Sequence, residues 1–430
     1  MQKVELLSPA GTLEKLKIAI DFGADAVYGG VSHFSLRIRS GKEFSMDEFA
    51  EGIEYAHSRG KKVYATLNGF PFNSQLNLLK KHILAMADLG PDAFIVATPG
   101  VLKLCHELVP HMPLHLSTQA NVMNVLDAKI YYDMGATRII TAREISLRDL
   151  VEIKKELPDL ELEVFVHGSM CFAYSGRCLI STLQSGRVPN RGSCANDCRF
   201  PYEIYAANPE TGTLFKLQED EGVGTYIMNS KDLNLASHVK EILDSGAVDS
   251  LKIEGRTKTA YYAAVTAKAY RMAIDDYYRG ENDVQKYQYE LNSLQNRGYT
   301  DAYLISRPFE KHDTQSLDFT MQLGTHQVTG QVNEEGTHFL CKYKTLPGDE
   351  LEIVAPLHSS IEIVNNEIGM TYEREGRVYM KLKKLVAENN KIWEEVHSGN
   401  TNPITLPTKL PPYTFLRVPS HPDMGTYPKN

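Results

Sequence analysis

Short β-branched runs alternate with amphipathic helical stretches through the first 255 residues, and few folds accept that alternation. A helix between two strands carries the chain back to the edge it left, so successive strands run parallel. Eight strands can be counted: Val4 to Leu7, Ala26 to Tyr28, Lys62 to Leu67, Ala93 to Ala97, Leu114 to Ser117, Arg138 to Thr141, Leu162 to Val166 and Ser250 to Ile253. Eight such units predict a closed (β/α)8 TIM-barrel-like domain, with an open doubly wound sheet as the alternative. The helices between them carry their own boundaries. Ser45 followed three residues later by Glu48 reads as a capping box, Gly60 as a stop, and Phe49, Ile53 and Ala56 keep helical spacing on one face.

A chain of 430 residues exceeds one ordinary core and suits a large α/β domain with a smaller companion. The barrel is expected over residues 1–305, interrupted by a long insertion at 168–230 that includes a hairpin around Asn208 to Thr213. Helices are predicted at Ala260 to Arg279 and Asp283 to Gln295, followed by a polar linker at 306–318. From 319 to 397 the pattern becomes strand, turn, strand, with turn signals at Glu334 to Gly336, Pro347 to Asp349 and Glu373 to Gly376; a small antiparallel β-barrel domain is predicted there. The Pro-, Thr- and Asn-rich stretch 398–430 reads as an extended surface tail. No apolar run is long enough to span a membrane and the start lacks a basic and apolar leader, so a cytoplasmic protein with no membrane partner is expected. The net charge of -8 excludes a generally basic nucleic-acid binder but leaves room for a local basic patch.

Four of the six cysteines, Cys171, Cys178, Cys194 and Cys198, fall in one window with glycine and serine between them in place of core residues. In a reducing compartment such a cluster reads as a metal or catalytic site. The spacing C-x6-C-x15-C-x3-C suits zinc or an iron-sulfur cluster, and zinc is the poorer match because only Cys194 and Cys198 approach the tight pairing of structural zinc sites. Cys105 and Cys341 stand alone in apolar settings and read as buried structural thiols. The same window holds Arg177, Arg187, Arg191 and Arg199, with Asp197 as its only acid. These guanidinium groups either neutralise thiolate charge or fork onto an anionic substrate.

Polar residues gather just after the predicted strands, where barrel chemistry is found. They include Tyr28, Asn68, Gln119, Arg143, Lys252 and Arg256 as candidate substrate contacts, joined by Arg177 from the insertion. Lys231, Asp232 and Glu254 are candidates for proton transfer. His167, at the end of the seventh strand, reads as a proton donor, with a hydrogen-bonded structural histidine as the alternative. Tyr343, Tyr372 and Tyr379 read as packing of the small domain's core in preference to a base-stacking surface.

The run from Glu163 to Ser181, E-x-F-x-H-G-S-M-C-x-x-x-S-G-R-C-x-x-S, resembles the signature of peptidase family U-32, the collagenase-like peptidases. ELLSPAG at Glu5, GADAVYGG at Gly23, STQANVMN at Ser117, NSKDL at Asn229, SLKIEGRTK at Ser250 and NRGYT at Asn296 extend the likeness over most of the first 305 residues. The resemblance implies two different activities. One is the protease of the family's older label. The other is oxygen-independent hydroxylation of transfer RNA, ribosomal RNA or a quinone precursor, on a 4Fe-4S cluster held by four cysteines, here Cys171, Cys178, Cys194 and Cys198. The RNA-directed members are linked to prephenate, a small anionic metabolite, as a required compound. By length and domain plan this chain is similar to members needed for 5-hydroxyuridine at the tRNA wobble position, which makes tRNA the expected partner.

The residues themselves favour hydroxylation. No G-x-S-x-G elbow is present, and His106, Glu107 and His111 have the wrong spacing for a zinc protease, with Pro110 breaking the helix that must align them. A Cys171–His167 nucleophile pair would leave three cysteines unexplained, whereas a cluster accounts for all four. A cluster-bearing accessory protein without chemistry of its own is the third reading.

Overall fold

The computed structural model describes residues 3–31, 34–35, 44–174, 178, 180–187, 194–216, 229–301, 303–306, 314–316 and 324–420. Seven parallel strands lead: β1 (Glu5–Pro9), β2 (Ala26–Gly29), β3 (Lys62–Leu67), β4 (Ala93–Val96), β5 (Leu114–Leu116), β6 (Arg138–Ile140) and β7 (Glu161–Ser169). Six helices follow the first six of them: α1 (Leu13–Asp21), α2 (Met46–His57), α3 (Leu76–Asp88), α4 (Pro99–Leu108), α5 (Val125–Asp133) and α6 (Leu147–Glu156). After β7 comes the insertion, with α7 (Ile180–Ser185) and an antiparallel hairpin of β8 (Tyr205–Ala207) and β9 (Leu214–Lys216) around the expected turn. The chain returns through β10 (Asp232–Asn234) and α8 (Val239–Asp244) to β11 (Ser250–Ile253). Because β11 pairs in parallel with both β1 and β7, the eight strands close into a barrel.

Local chemistry explains why these segments become helices. The Ser45 side chain accepts from the Glu48 amide while the Glu48 carboxylate accepts from the Ser45 amide, so both free donors at the start of α2 are satisfied. Phe49, Ile53 and Ala56 are buried against the barrel. Thr98 caps α4, with Pro99 supplying a preset first turn. The helix α9 (Ala260–Arg279) is apolar around most of its circumference and buries thirteen of its twenty residues. Such a helix needs cover on several sides. It receives it from the barrel, from α1 and from α10 (Val284–Asn292), before Gly280 ends it in the left-handed conformation.

After the short strand β12 (Tyr299–Thr300) comes the small domain, a curled antiparallel sheet. Its strands are β13 (His326–Val332), β14 (His338–Cys341), β15 (Glu350–Val354), β16 (Gly369–Arg374), β17 (Arg377–Leu382), the paired β18 (Leu385–Val386) and β19 (Ile392–Trp393), β20 (Ile404–Thr405) and β21 (Phe415–Pro419). The main sheet has the order β16-β17-β15-β21-β13-β14-β20. The expected extended tail is therefore corrected: β21 lies in the middle of this sheet, between β15 and β13. The surrounding prolines and threonines conceal a five-residue strand, FLRVP, whose alternation serves two cores at once. Leu416 enters the small domain's own core, while Phe415 packs on Phe22 and Tyr261 of the barrel. Arg417, wholly buried, forks onto Glu352 at 2.7 and 3.1 Å and reaches Glu290 of α10 at 2.8 Å, riveting the two domains together. Tyr372 and Tyr379 also differ from expectation. They stack on one another, half-buried, with Arg374 over Tyr379, outside both hydrophobic cores.

Candidate functional site

The lumen of the barrel carries charge on strands that are otherwise apolar. Arg138 of β6 donates to Glu5 of β1 at 2.6 Å and to Glu163 of β7 at 3.1 Å, and Lys252 of β11 donates to Glu163 at 2.6 Å. Arg138, Glu163 and Lys252 expose at most 5% of their side chains. Burial opposes the charge on Arg138, but Glu5 and Glu163 outweigh it and raise its pKa; burial lowers that of Lys252, with Glu163 holding the ammonium against it. This network was missed in the sequence, although its signal was there: four charged residues inside buried strands.

Above that floor opens a cavity of about 170 Å³, continuous with solvent at its mouth. The strand ends supply its walls: Tyr28, Thr66, Asn68, Ser117 and Gln119 on one side, Arg143, Phe165, Lys252, Glu254 and Arg256 on the other. Tyr28 donates to the Ile253 carbonyl at 3.0 Å and lies under the Lys252 ammonium, 4.3 Å from its ring centre. The Gln119 amide accepts from Ser117 at 2.9 Å and donates to the Asn68 carbonyl at 3.2 Å. Arg143 lies over Phe165 and meets Glu254 at 3.4 Å, and Arg256 donates to Ser35 at 2.7 Å and Thr66 at 3.2 Å. Gly11 permits this placement of Arg256, since a Cβ there would stand 2.1 Å from the Arg256 carbonyl oxygen.

The insertion forms the roof. Cys171, Cys178, Cys194 and Cys198 all line the same cavity, together with Phe172, Tyr174, Asn196 and Arg199. Ser181 receives the Ala195 amide at 3.1 Å and approaches the Cys194 sulfur at 3.9 Å, while the Asn196 amide donates to that sulfur at 3.4 Å. Burial raises the pKa of Cys198; Arg199 counters it, and Cys171, Cys194 and Cys178 are close enough to raise it further. Among the described residues no three His, Cys, Asp or Glu side chains are grouped to hold a single metal ion. One tetrahedral ion with metal-sulfur bonds of ~2.3 Å would need a tighter set. A cluster takes each thiolate on a different iron, so its ligands surround a space and not a point. In donor type, the four thiols lining one cavity fit that group.

Three candidates lie elsewhere. The register of β7 against β11 slips between Lys252 and Ile253, so His167 pairs with Ile253 and faces away from the cavity that Phe165 and Lys252 line. His167 packs instead among Tyr262, Tyr270 and Tyr299, and burial pushes its pKa down to about 4, with Asp232 and Lys258 as opposing lesser influences. Asp232 shares that small polar pocket and pairs with buried Arg297, whose guanidinium also donates to the Ser230 carbonyl at 2.8 Å. Lys231 lines neither pocket and packs beside Gly298. The expectation of these three as catalytic residues of the cysteine site is corrected: the bulge turns His167 outward, and the returning β10 lies antiparallel on β7 outside the barrel wall. Gly168 makes this crossing possible, with φ of 116° and the Glu254 carbonyl 2.6 Å from where a Cβ would stand. Arg177 and Arg191 lie outside the described residues, and Arg187 is exposed away from the cavity lining. Cys105 and Cys341 are buried as expected.

The sequence profile of peptidase family U32 matches residues 11–314. The chain is 60% identical over 418 residues to the tRNA hydroxylation protein P of Helicobacter pylori, covering 97% of this chain and 99% of that protein. It is 37% identical to the tRNA hydroxylation protein P of Escherichia coli, covering 86% of this chain and 90% of that one. A 23S rRNA 5-hydroxycytidine synthase of Escherichia coli is 35% identical over 84% of this chain and 50% of its own length.

Proposed function

This chain belongs to peptidase family U32, and from that premise we propose that it is an RNA-modifying hydroxylase acting on transfer RNA. The finer reading is oxygen-independent formation of 5-hydroxyuridine at the wobble position, with a 4Fe-4S cluster as cofactor and prephenate as the small anionic co-substrate. The observation that carries it is the meeting of four thiols and the barrel-top cations at one cavity. When bound to Cys171, Cys178, Cys194 and Cys198, such a cluster supplies electron transfer without molecular oxygen.

The chain's own residues then have separate tasks. Arg143, Arg256 and Lys252 give the cavity the charge an anionic co-substrate needs, and each is held in place from behind by Glu254, by Ser35 and Thr66, or by Glu163. Glu254 is the carboxylate on the cavity wall and the candidate for moving a proton there. Gln119 and Asn68 offer amide groups of the kind that reads a nucleobase edge. Two supports weigh toward this reading and away from the peptidase in the family's label. Among the described residues no histidine lines the cavity beside Cys171, and His167 faces the other way. His106 and Glu107 lie on α4, which ends at Leu108 before His111 is reached.

Mass spectrometry of tRNA from cells lacking the protein tests the substrate; wobble uridine that stays normally hydroxylated would remove it. Purification without oxygen, with iron and sulfide counted, tests the cofactor against zinc. A ribosomal RNA substrate, or a role as accessory protein, would show as modification lost at another site or dependent on a second protein.

A further inference from the structure

The roof segment just after Cys171 presents two aromatic rings, Phe172 and Tyr174, that line the cavity yet leave 50% and 63% of their surface exposed. Aromatic surface left open at the lip of a concave site marks a place where something docks. Below the rings the cavity narrows to a floor closed by the Lys252–Glu163–Arg138 network, so no double helix and no continuous stack of bases reaches its depth. Resting on the RNA reading above, we propose that Phe172 and Tyr174 form a stacking platform that receives one pyrimidine, turned out of a single-stranded RNA loop, as it enters the cavity. An enzyme acting on a base atom must take that base out of its stack, and flat aromatic side chains repay the stacking it loses. Charge supports the same occupant. Arg199 also lines the roof and makes no ion pair among the described residues, leaving its guanidinium available to a phosphate as the loop bends in. On the wall beneath, Gln119 uses its carbonyl on Ser117 and one N–H on the Asn68 carbonyl, which leaves a second N–H for a pyrimidine oxygen.

The test uses the whole protein and an RNA stem-loop with 2-aminopurine beside the loop uridine, a base whose fluorescence rises when its neighbour unstacks. Wild-type protein should bind and raise the signal. Phe172→Ala and Tyr174→Ala should each weaken binding about ten-fold and suppress the rise, Tyr174→Phe should restore both, and Leu183→Ala, on an exposed residue outside the cavity, should change neither. Thermal unfolding of each variant separates lost stacking from lost folding. Binding with no fluorescence change, or alanine variants that bind and brighten like wild type, overturns the platform and leaves the RNA reading standing. If the wild type binds no stem-loop, or if a gelatin peptide displaces the RNA and depends on Tyr174, the platform falls together with the RNA reading.

Discussion

Replacing His167 with Gln separates a proton donor from a buried structural ring. Burial holds the His167 pKa at about 4, against an ordinary value of 6.5. The unfolded chain therefore binds that proton more tightly than the folded one. The folded state is at full strength above the unfolded pKa and loses stability as pH falls from about 6.5 toward 4. A gap of about 2.5 pKa units corresponds to roughly 3 kcal/mol once pH is below both values, and to about 2 kcal/mol at pH 5. His167→Gln keeps a polar side chain of similar reach among Tyr262, Tyr270 and Tyr299 but cannot titrate. Urea unfolding of both proteins near pH 7.5 and pH 5 gives a double difference in which other titrating groups, including His326, cancel. We expect the variant to gain about 2 kcal/mol relative to wild type on going to the lower pH, and to retain most of its hydroxylation activity. A double difference under about 0.5 kcal/mol would refute the buried neutral histidine. Activity lost with stability unchanged would return His167 to the reaction.

Arg417→Met leaves Glu290 and Glu352 buried without their shared cation, and a loss of roughly 3–5 kcal/mol in unfolding free energy is expected, with earlier protease cleavage between the domains. Lys252→Met removes the ammonium at the cavity floor while Arg138 still pairs with Glu163; enzyme assays should show a raised KM for the small anion with iron content unchanged, and an unaltered KM would take Lys252 out of the binding site. Gly11→Ala pushes a methyl group into the Arg256 carbonyl, so activity should fall while circular dichroism keeps the wild-type helix content.

The barrel was legible because its signal is periodic and repeated: each strand and helix needs only its own apolar spacing to be seen, and closure follows from the number of units. The cysteines were legible for a related reason, since four thiols in a polar loop have few uses. What hid was whatever depends on pairing between distant strands. The bulge that turns His167 outward exists only in the register of β7 against β11, and the strand-end rule pointed at the wrong face. The strand FLRVP was hidden differently. Its five residues lie among prolines and threonines, and the contacts that make it a strand are Glu352, Glu290 and Phe22, all far away in the chain.

Of the four arginines in the cysteine window, read as neutralisers of thiolate charge or as anchors for an anion, Arg199 is the one among the described residues that lines the cavity. Arg199 lies on the roof beside Cys198, where its charge counters the effect of burial on that thiol. Arg143 and Arg256 rise from the barrel side, held by Glu254 and by Ser35 with Thr66, and face the space below the cysteines. Among the described residues the lining carries four cations, Arg143, Arg199, Lys252 and Arg256, against Glu254 on the wall and Glu163 paired with Lys252 behind the floor, a surplus of four minus two, or two. A negatively charged thiolate cluster at the roof would absorb part of that surplus, and the remainder sits on the barrel side where a second anion has room. A cation surplus on the barrel side suits an anionic co-substrate held beside a thiolate-bound group, as the proposed function needs.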